Sequence, residues 1–461
     1  MDHQGFWTHI AAVLSPVLST LVEKTRAALQ QEAEGRSFEP VDVEREVQSL
    51  LEHAAPIVVA YLVEQARGGR VRNEHVCPRC GGQLRFVQDA PRTIGFIFGE
   101  VRIKRARYHC DHCHKGRTPL EQVWGLQTGP RAMGKRRLTP RAQCQVVALA
   151  AAGAYSKARD HLRRFTPLRV CTMTVWRYVQ RFGRWMREKG EEAVAAIPLA
   201  PGAEPGKTRR PLRWIVGADG INVRVVLNNE RRKRKAESEP PEFSTGGTVL
   251  REVKVGVVAL LNKAGQVVGE SQWYMAMLEK AAQFRRRLRE TAVARGMRVI
   301  DEVAIASDAA NWLPALGTRH FTEATMIRDF YHAREHLGRM GEALYGKGSK
   351  EAAEWASQMG HRLREEGARP LVSEWEKMDA QPKDRETWQR ELAYFQSNQD
   401  AMDYPSLRAR NLPIGSGSAE GGCKYVVGDR FKLAGMRWSE EGLRNLLPIR
   451  TAYCNGVFSS A

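Results

Sequence analysis

Three acidic residues stand in settings suited to chemistry at phosphorus. Asp219, in WIVGADGINV, and Asp308, in VAIASDAANW, each end or follow an apolar, strand-like run. Glu420, in LPIGSGSAEGGCK, opens a helix-like stretch after a Gly/Ser-rich turn. Carboxylate oxygens hold divalent cations, and two such ions about 4 Å apart stabilise the attacking and leaving oxygens of an in-line displacement. Two ions of Mg2+ or Mn2+ are therefore the expected cofactors if the three acids converge. Each acid also has a plainer reading. Asp219-Gly220 is a common hairpin turn, Asp308 suits the N-cap of a helix beginning AANWL, and Glu420 suits the first turn of a helix. His332-Ala-Arg-Glu335-His336 competes as an H-x-x-E-H zinc peptidase pattern, although no third ligand follows it.

The cysteines form a second constellation. Cys77-Pro-Arg-Cys80 and Cys110-Asp-His-Cys113 bracket about 29 residues, a spacing suited to one tetrahedral structural Zn2+ in a ribbon. His109, His112 and His114 are spare donors, but four thiolates already close the shell. Arg102, Lys104, Arg105 and Arg107 precede Tyr108 on the expected strand and suit phosphate contacts, with a solvated strand face as the plain alternative.

The elements that must position these residues follow from periodicity and breakers. Residues 1–70 read as a helical N-terminal region and 71–128 as a four-cysteine zinc ribbon with strands at 93–98 and 101–108. Residues 138–190 read as a helix-turn-helix domain, with Thr139 as an N-cap, Gly153 as a breaker and a second helix at 155–164. Its third helix would bury Val175, Tyr178, Val179 and Phe182 and present Arg177, Gln180, Arg181 and Arg184 to a major groove. The Pro/Gly-rich stretch at 191–211 reads as a linker. Beyond it come strands at 212–218, 249–261, 267–274, 299–307 and 325–330, a basic helix at 276–295, continuous helix from 331 to 405, and helix from Glu420 to the end. The expected class is multidomain α/β, with an RNase H-like catalytic core over 212–461 and an all-helical insertion at about 340–410. The basic run 231–235 reads as a loop, either solvated or a finger that grasps a nucleic acid strand.

Lys+Arg 72 against Asp+Glu 52 gives a net charge of +20, which favours a polyanionic partner. No run reaches the roughly 18 apolar residues of a membrane span. The first twenty residues lack a basic n-region, so no secretory signal is expected. Cysteines in tight pairs point to a reducing compartment; the expected location is the cytoplasm.

The segments LREVKVGVV, IRDFYHAREHL, MDYPSLRARNLPIGSGSAEGGCK and VVGDRFKLAGMRWSEEG closely resemble the ISKra-type insertion-sequence transposases. CPRCGGQLR…GEVRIKRARYHCDHC and the expected helix-turn-helix resemble theirs too, so the likeness spans about residues 75–455. The resemblance implies a DDE transposase, with Asp219, Asp308 and Glu420 as its metal-binding triad. The pair Asp329-Phe-Tyr-His332 matches the Asp- or Cys-x-x-His pair that similar families carry after the second catalytic strand, and implies supporting roles for Asp329 and His332. The chain departs from its relatives at the Ser-Ala before Glu420 and the Gly-Gly-Cys after it, which touches the start of the helix rather than the acid. The implied partner is double-stranded DNA, both transposon ends and target, bound by a homodimer or higher oligomer near the bacterial nucleoid. A catalytically inactive, transposase-derived DNA-binding protein is the remaining alternative.

Overall fold

The computed structural model describes residues 76–77, 79–118, 137–188, 211–226, 247–308, 314–378 and 381–458, with scattered helical positions between 8 and 62. Most of the expected N-terminal helical region, the linker, the basic run 231–235 and the AANWL segment after Asp308 lie outside the described residues, as does the side chain of Arg105. The chain forms two compact units, Met1–Trp185 with Phe458–Ala461, and Met186–Val457.

In the first unit, β1 (Leu84–Phe96) and β2 (Gly99–Cys110) form a long antiparallel ribbon turned at Gly99, whose φ of 123° suits glycine. Strand alternation sends Ile94, Val101 and Ile103 to a buried face. The short β3 (Gly116–Arg117) pairs with β2. A second short strand, β4 (Arg137–Leu138), runs parallel to β1 and leads into α1 (Pro140–Ala152). Thr139 caps that helix by accepting from the Ala142 amide at 3.4 Å, as its sequence position predicts. Helices α2 (Tyr155–Phe165) and α3 (Thr172–Glu188) complete the three expected helices. The ribbon and the helices are joined rather than strung apart. The Thr139 amide donates to Gly95 O at 2.9 Å, while Gln143 from α1 and Tyr178 from α3 both grip Leu138.

The second unit is mixed α/β. β5 (Arg213–Val226), β6 (Thr248–Leu261) and β7 (Trp273–Met277) form an antiparallel meander, and β8 (Glu302–Ser307) and β9 (Thr325–Arg328) extend it in parallel. The order is β7-β6-β5-β8-β9, with β10 (Trp438–Ser439) parallel to the far end of β5. Alternate residues of β5 feed two cores. Trp214, Val216 and Ala218 pack with Phe284, Leu288 and Ala292 of α4 (Ala281–Ala294) and with Leu316 of α5 (Pro314–His320).

Ile215 faces the other side, where Ala304, Ala306 and Ile327 join the helices α6 (Phe330–Tyr345), α7 (Lys350–Glu366), α8 (Ala368–Lys377), α9 (Arg385–Asn398) and α10 (Tyr404–Ala409). The stretch expected as one continuous helix is therefore five, divided at Gly346, at Gly367, before Asp384 and at the 3-10 turn Gln399–Met402. These helices share one core with the sheet, so burial of their apolar stripes, and not propensity alone, fixes where each lies.

After α10 the chain enters α11 (Gly417–Gly422), passes through a π-helical segment, Cys423–Gly428, and a short turn, Asp429–Phe431, and ends in α12 (Glu440–Cys454). Here too the expected unbroken helix is interrupted, because Trp438 and Ser439 add to the sheet.

Candidate active site and metal centre

Asp219 does not end a strand. It is the seventh residue of the fourteen-residue β5, paired with Val255, and Gly220 continues the ladder opposite Lys254. The hairpin-turn reading is thereby excluded, and the expected strand end at residue 218 is corrected. The run looked shorter because Asp219, Gly220 and Asn222 interrupt its apolar pattern while keeping β geometry.

On its other edge β5 pairs with β8 only from Arg213 to Gly217, and with β10 only at Val225 and Val226. Among the described residues the intervening edge has no strand partner, and Asp219 sits where that notch begins. The β5–β8 register has a constant offset of 89 positions, the same separation as between Asp219 and Asp308. Two steps past the last pair, that offset sets the two acids level. The β8–β9 offset of 21 likewise sets Asp308 level with Asp329. Equal register in parallel strands puts side chains on the same face.

Glu420 reaches the same edge from α11, which lies over Gly217. A Cβ on Gly217 would stand 3.0 Å from Ala419 Cβ and 2.8 Å from Val257 Cγ1, so the missing side chain is what lets this helix descend onto β5. Asp219 accepts a 2.6 Å bond from the Gly220 amide. Its carboxyl is raised above the ordinary aspartate range, first by burial and then by the Asp308 charge, with Glu420 adding, against the Gly220 amide and the Cys423 thiol. Burial, and then the charges of Asp219, Asp308 and Glu420, push the Cys423 thiol well up, leaving it a neutral neighbour of the carboxylates. The three acids expected from sequence are thus electrostatically coupled. They do not form a single tight shell: among the described residues only the four cysteines bring three or more ligand atoms within 4.8 Å of one another. The donors of the three acids are the hard oxygens that divalent ions such as Mg2+ take.

Asp329 is a tie. Its Oδ1 accepts from the His332 amide at 2.7 Å, capping α6, and its Oδ2 accepts from the Ser416 amide and, at 2.8 Å, the Ser416 hydroxyl. Ser416 Oγ is also 3.0 Å from Glu420 Oε1. The Asp329 amide donates to Ser307 O, and that of Phe330 to Ile414 O. One buried aspartate therefore links the end of β8 through its amide, and the start of α6 and the loop that delivers Glu420 through its carboxylate.

Sequence reasoning missed Ser416, Cys423 and Arg328. Arg328 is 6% exposed, and donates to Ser307 Oγ at 2.8 Å and Asn398 Oδ1 at 2.6 Å. Burial lowers its pKa, partly countered by Tyr394 and Asp308. A buried arginine one residue before Asp329 was the available signal.

The four cysteines meet as expected. Cys77 and Cys113 sulfurs are 3.7 Å apart and those of Cys80 and Cys110 3.5 Å, close to the roughly 3.8 Å edge of a tetrahedron with 2.3 Å zinc–sulfur bonds. Gly81, with φ of 70°, turns the first knuckle, and a Cβ on Gly82 would lie 2.8 Å from His112 Cβ. The Arg79 amide is the main influence that brings Cys77 down to about 6, with Arg117 assisting, while against the Gly82 amide burial, and then Cys110, Cys113 and Cys77, lift Cys80 to about 12. Thiols so close share protons that a divalent ion displaces. Arg117 was not anticipated.

The basic residues expected on β2 do not share one face: Arg102 and Lys104 are exposed on one, and Arg107 on the other, because residue parity alternates. On α3, Val175, Tyr178 and Val179 are buried as expected, with Gly183 completing the stripe and Phe182 half-buried. Arg177, Arg181 and Arg184 are exposed and Gln180 half-buried. No helix among the described residues is long and apolar enough to cross a membrane.

No family model matches the chain, and no curated protein matches it. Among solved structures, a Mos1 transposase paired-end complex with left transposon end matches at 12% identity over 59% of this chain and 97% of that chain, with a TM-score of 0.15.

Proposed function

We propose that this chain is a DDE transposase of ISKra type, which binds the ends of its element and cuts and joins DNA with Mg2+ or Mn2+. The observation that carries this reading is the coupling of Asp219, Asp308 and Glu420 across one sheet edge, from strands in matching register and a helix seated on Gly217. The order β7-β6-β5-β8-β9, with an antiparallel meander followed by parallel strands, suits an RNase H-like core.

Asp219, Asp308 and Glu420 would hold the two divalent ions, which when bound polarise the scissile phosphate and assist both the entering and the leaving oxygen. Burial raises Asp219 first and repulsion from Asp308 and Glu420 adds to it; a cation relieves that repulsion, so the same crowding that burdens the metal-free protein favours metal uptake. Asp329 and Ser416 set the position of Glu420, and Arg328 holds Ser307 beside Asp308. His332, in the first turn of α6, supports the site. No covalent intermediate is required, which accords with the protonated state of Cys423. In this reading the first unit is a four-cysteine zinc ribbon at 71–128 and a helix-turn-helix at 138–190, contacting DNA through Arg102, Lys104, Arg105, Arg107, Arg177, Gln180, Arg181 and Arg184. The catalytic domain spans 212–461. Paired ends require a dimer or higher oligomer on DNA, in a bacterial cytoplasm.

The test is cleavage of DNA carrying the sequences that flank the coding region, with Mg2+ or Mn2+, for the wild type and Asp308→Asn. The variant is expected to bind these ends and not cut them. Equal cleavage by both proteins removes the triad, and binding without cleavage by the wild type leaves a non-catalytic DNA-binding protein.

A further inference from the structure

The turn His332-Ala-Arg-Glu335-His336 is engaged by the protein in a way the peptidase pattern does not require. His336 Nδ1 lies 2.5 Å from Glu391 Oε2, contributed by α9. His336 Nε2 lies 3.3 Å from His332 Nε2, and Tyr394 stacks on the His336 ring at 3.5 Å and 6°. The Glu391 side chain is 4% exposed. Its charge is met by Arg339 at 3.4 Å from Oε2 and by the Arg390 guanidinium at 3.1 Å from Oε1. We propose that Glu391, by fixing the tautomer of His336, orients His332 beside the carboxylate site, so that Glu391 and His336 are positioning residues for the strand-cleavage reaction. The catalytic consequence rests on the proposed function; the chain of hydrogen bonds does not.

Donor and acceptor counts decide the tautomer. A neutral imidazole has one N–H and one bare nitrogen. Burial lowers the His336 pKa despite the nearby carboxylate, which favours the neutral ring. Glu391 offers only acceptors, so His336 Nδ1 carries the proton and its Nε2 is bare. The 3.3 Å contact is then a bond donated by His332 Nε2–H. His332 Nδ1 stands 3.4 Å from Glu335 Oε2, a contact that is a hydrogen bond only when both ring nitrogens carry protons, and its backbone amide is held by Asp329. Both ends of His332 are thus anchored, one to the residue that ties down Ser416 and Glu420, the other through His336 to the helical insertion. Tyr394, whose ring stacks on His336, has its hydroxyl raised first by burial, with the charges of Asp308 and Asp329 adding against Arg328.

Two histidine nitrogens 3.3 Å apart also suit one zinc ion, and a carboxylate behind a histidine is a familiar support for such a ligand. A zinc site needs three or four protein donors, however, and among the described residues no third His, Cys, Asp or Glu atom joins this pair within 4.8 Å. The hydrogen-bonded chain accounts for the contacts without one.

The experiment uses the full-length, zinc-loaded protein labelled with 15N-histidine. Long-range 1H–15N correlation reads the tautomer, and loss of one signal set in His336→Asn assigns it. The expected result is a neutral His336 protonated at Nδ1, giving way to a mixture of tautomers in Glu391→Gln, whose amide can accept or donate. In the cleavage assay, run well below the thermal midpoint, which loss of this buried charge lowers, Glu391→Gln is expected to fall by about 10–100-fold, as for removal of other supporting carboxylates, at unchanged DNA affinity. Glu391→Asp should recover part of the loss. A His336 protonated at Nε2 in the wild type overturns the proposal, as does a second, histidine-bound zinc per chain. A tautomer change with unaltered cleavage overturns the positioning role. A wild type that shows the Nδ1–H tautomer but cuts no DNA supports the chain of bonds and counts against the proposed function instead.

Discussion

Gly217→Ala separates the position of Glu420 from the stability of the sheet. Gly217 has no positive φ, so alanine is conformationally allowed and only packing opposes it. The new methyl would sit 2.8 Å from Val257 Cγ1 and 3.0 Å from Ala419 Cβ, where carbon atoms prefer about 3.5–4.0 Å. The Val257 side chain must therefore withdraw by about 0.7 Å and α11 by about 0.5 Å or more. Overpacking of this kind costs about 1–3 kcal/mol, offset by about 0.5–1 kcal/mol from replacing glycine within a strand. A net loss of about 1–2 kcal/mol is expected, read as a fall of a few degrees in thermal midpoint. Because Ala419 precedes Glu420, the larger effect falls on function: a shift approaching 1 Å in a reacting group is worth up to about 100-fold in rate. Gly421→Ala is the control, since a Cβ there meets nothing within 4 Å on the same helix. It should be neutral or stabilising by up to about 1 kcal/mol, with cleavage intact. If Gly217→Ala matches the wild type in melting and cleavage, the close seating of α11 on β5 does not hold Glu420 in place.

Three further outcomes follow from the same geometry. Metal analysis should find one thiolate-bound zinc per chain, and Cys110→Ser should release it and expose the first unit to proteolysis while the second stays resistant. In chelator, protein stability should fall as pH rises through the raised Asp219 pKa, because a carboxyl raised in the folded state favours folding while protonated and disfavours it once ionised. Asp219→Asn should flatten that dependence in a melting series, and Mg2+ should restore wild-type stability at the higher pH. Arg328→Met should lower stability by about 2–4 kcal/mol, since it strips partners from buried Ser307 and from Asn398. Chemical denaturation would show this, and an unchanged midpoint would mean that other groups satisfy those atoms.

Much of the local structure was legible because local chemistry dictates it. Thr139, Gly153 and the apolar stripe of α3 specify their helices through capping, termination and periodicity. The two C-x-x-C turns specify a four-sulfur cluster because each can close only on a partner knuckle. The strands from 249 to 328 were readable in type, though strand ends shifted where Asp219, Gly220 and the 3-10 turn Gly269–Ser271 broke the apolar pattern without, or before, breaking the sheet. The supporting residues were less visible. Ser416 and Cys423 are small polar residues in a glycine-rich stretch, and Glu391 lies 55 positions from the histidine it holds. No local pattern carries a contact of that range.

The composition, the cysteine spacing and the residue types of the three acids belong to the sequence alone. They set which donors are on offer, carboxylate oxygens and paired thiols, because charge and donor type are properties of side chains wherever they are placed. Whether Asp219 and Asp308 stand together is a property of the sheet. The interval of 89 residues means nothing along the chain and becomes adjacency only when β5 and β8 pair in parallel at that offset. Glu420 joins them because one side of Gly217 is empty, and Asp329 holds it there through Ser416. Those are decisions of register and packing, which depend on which surfaces the folded chain buries.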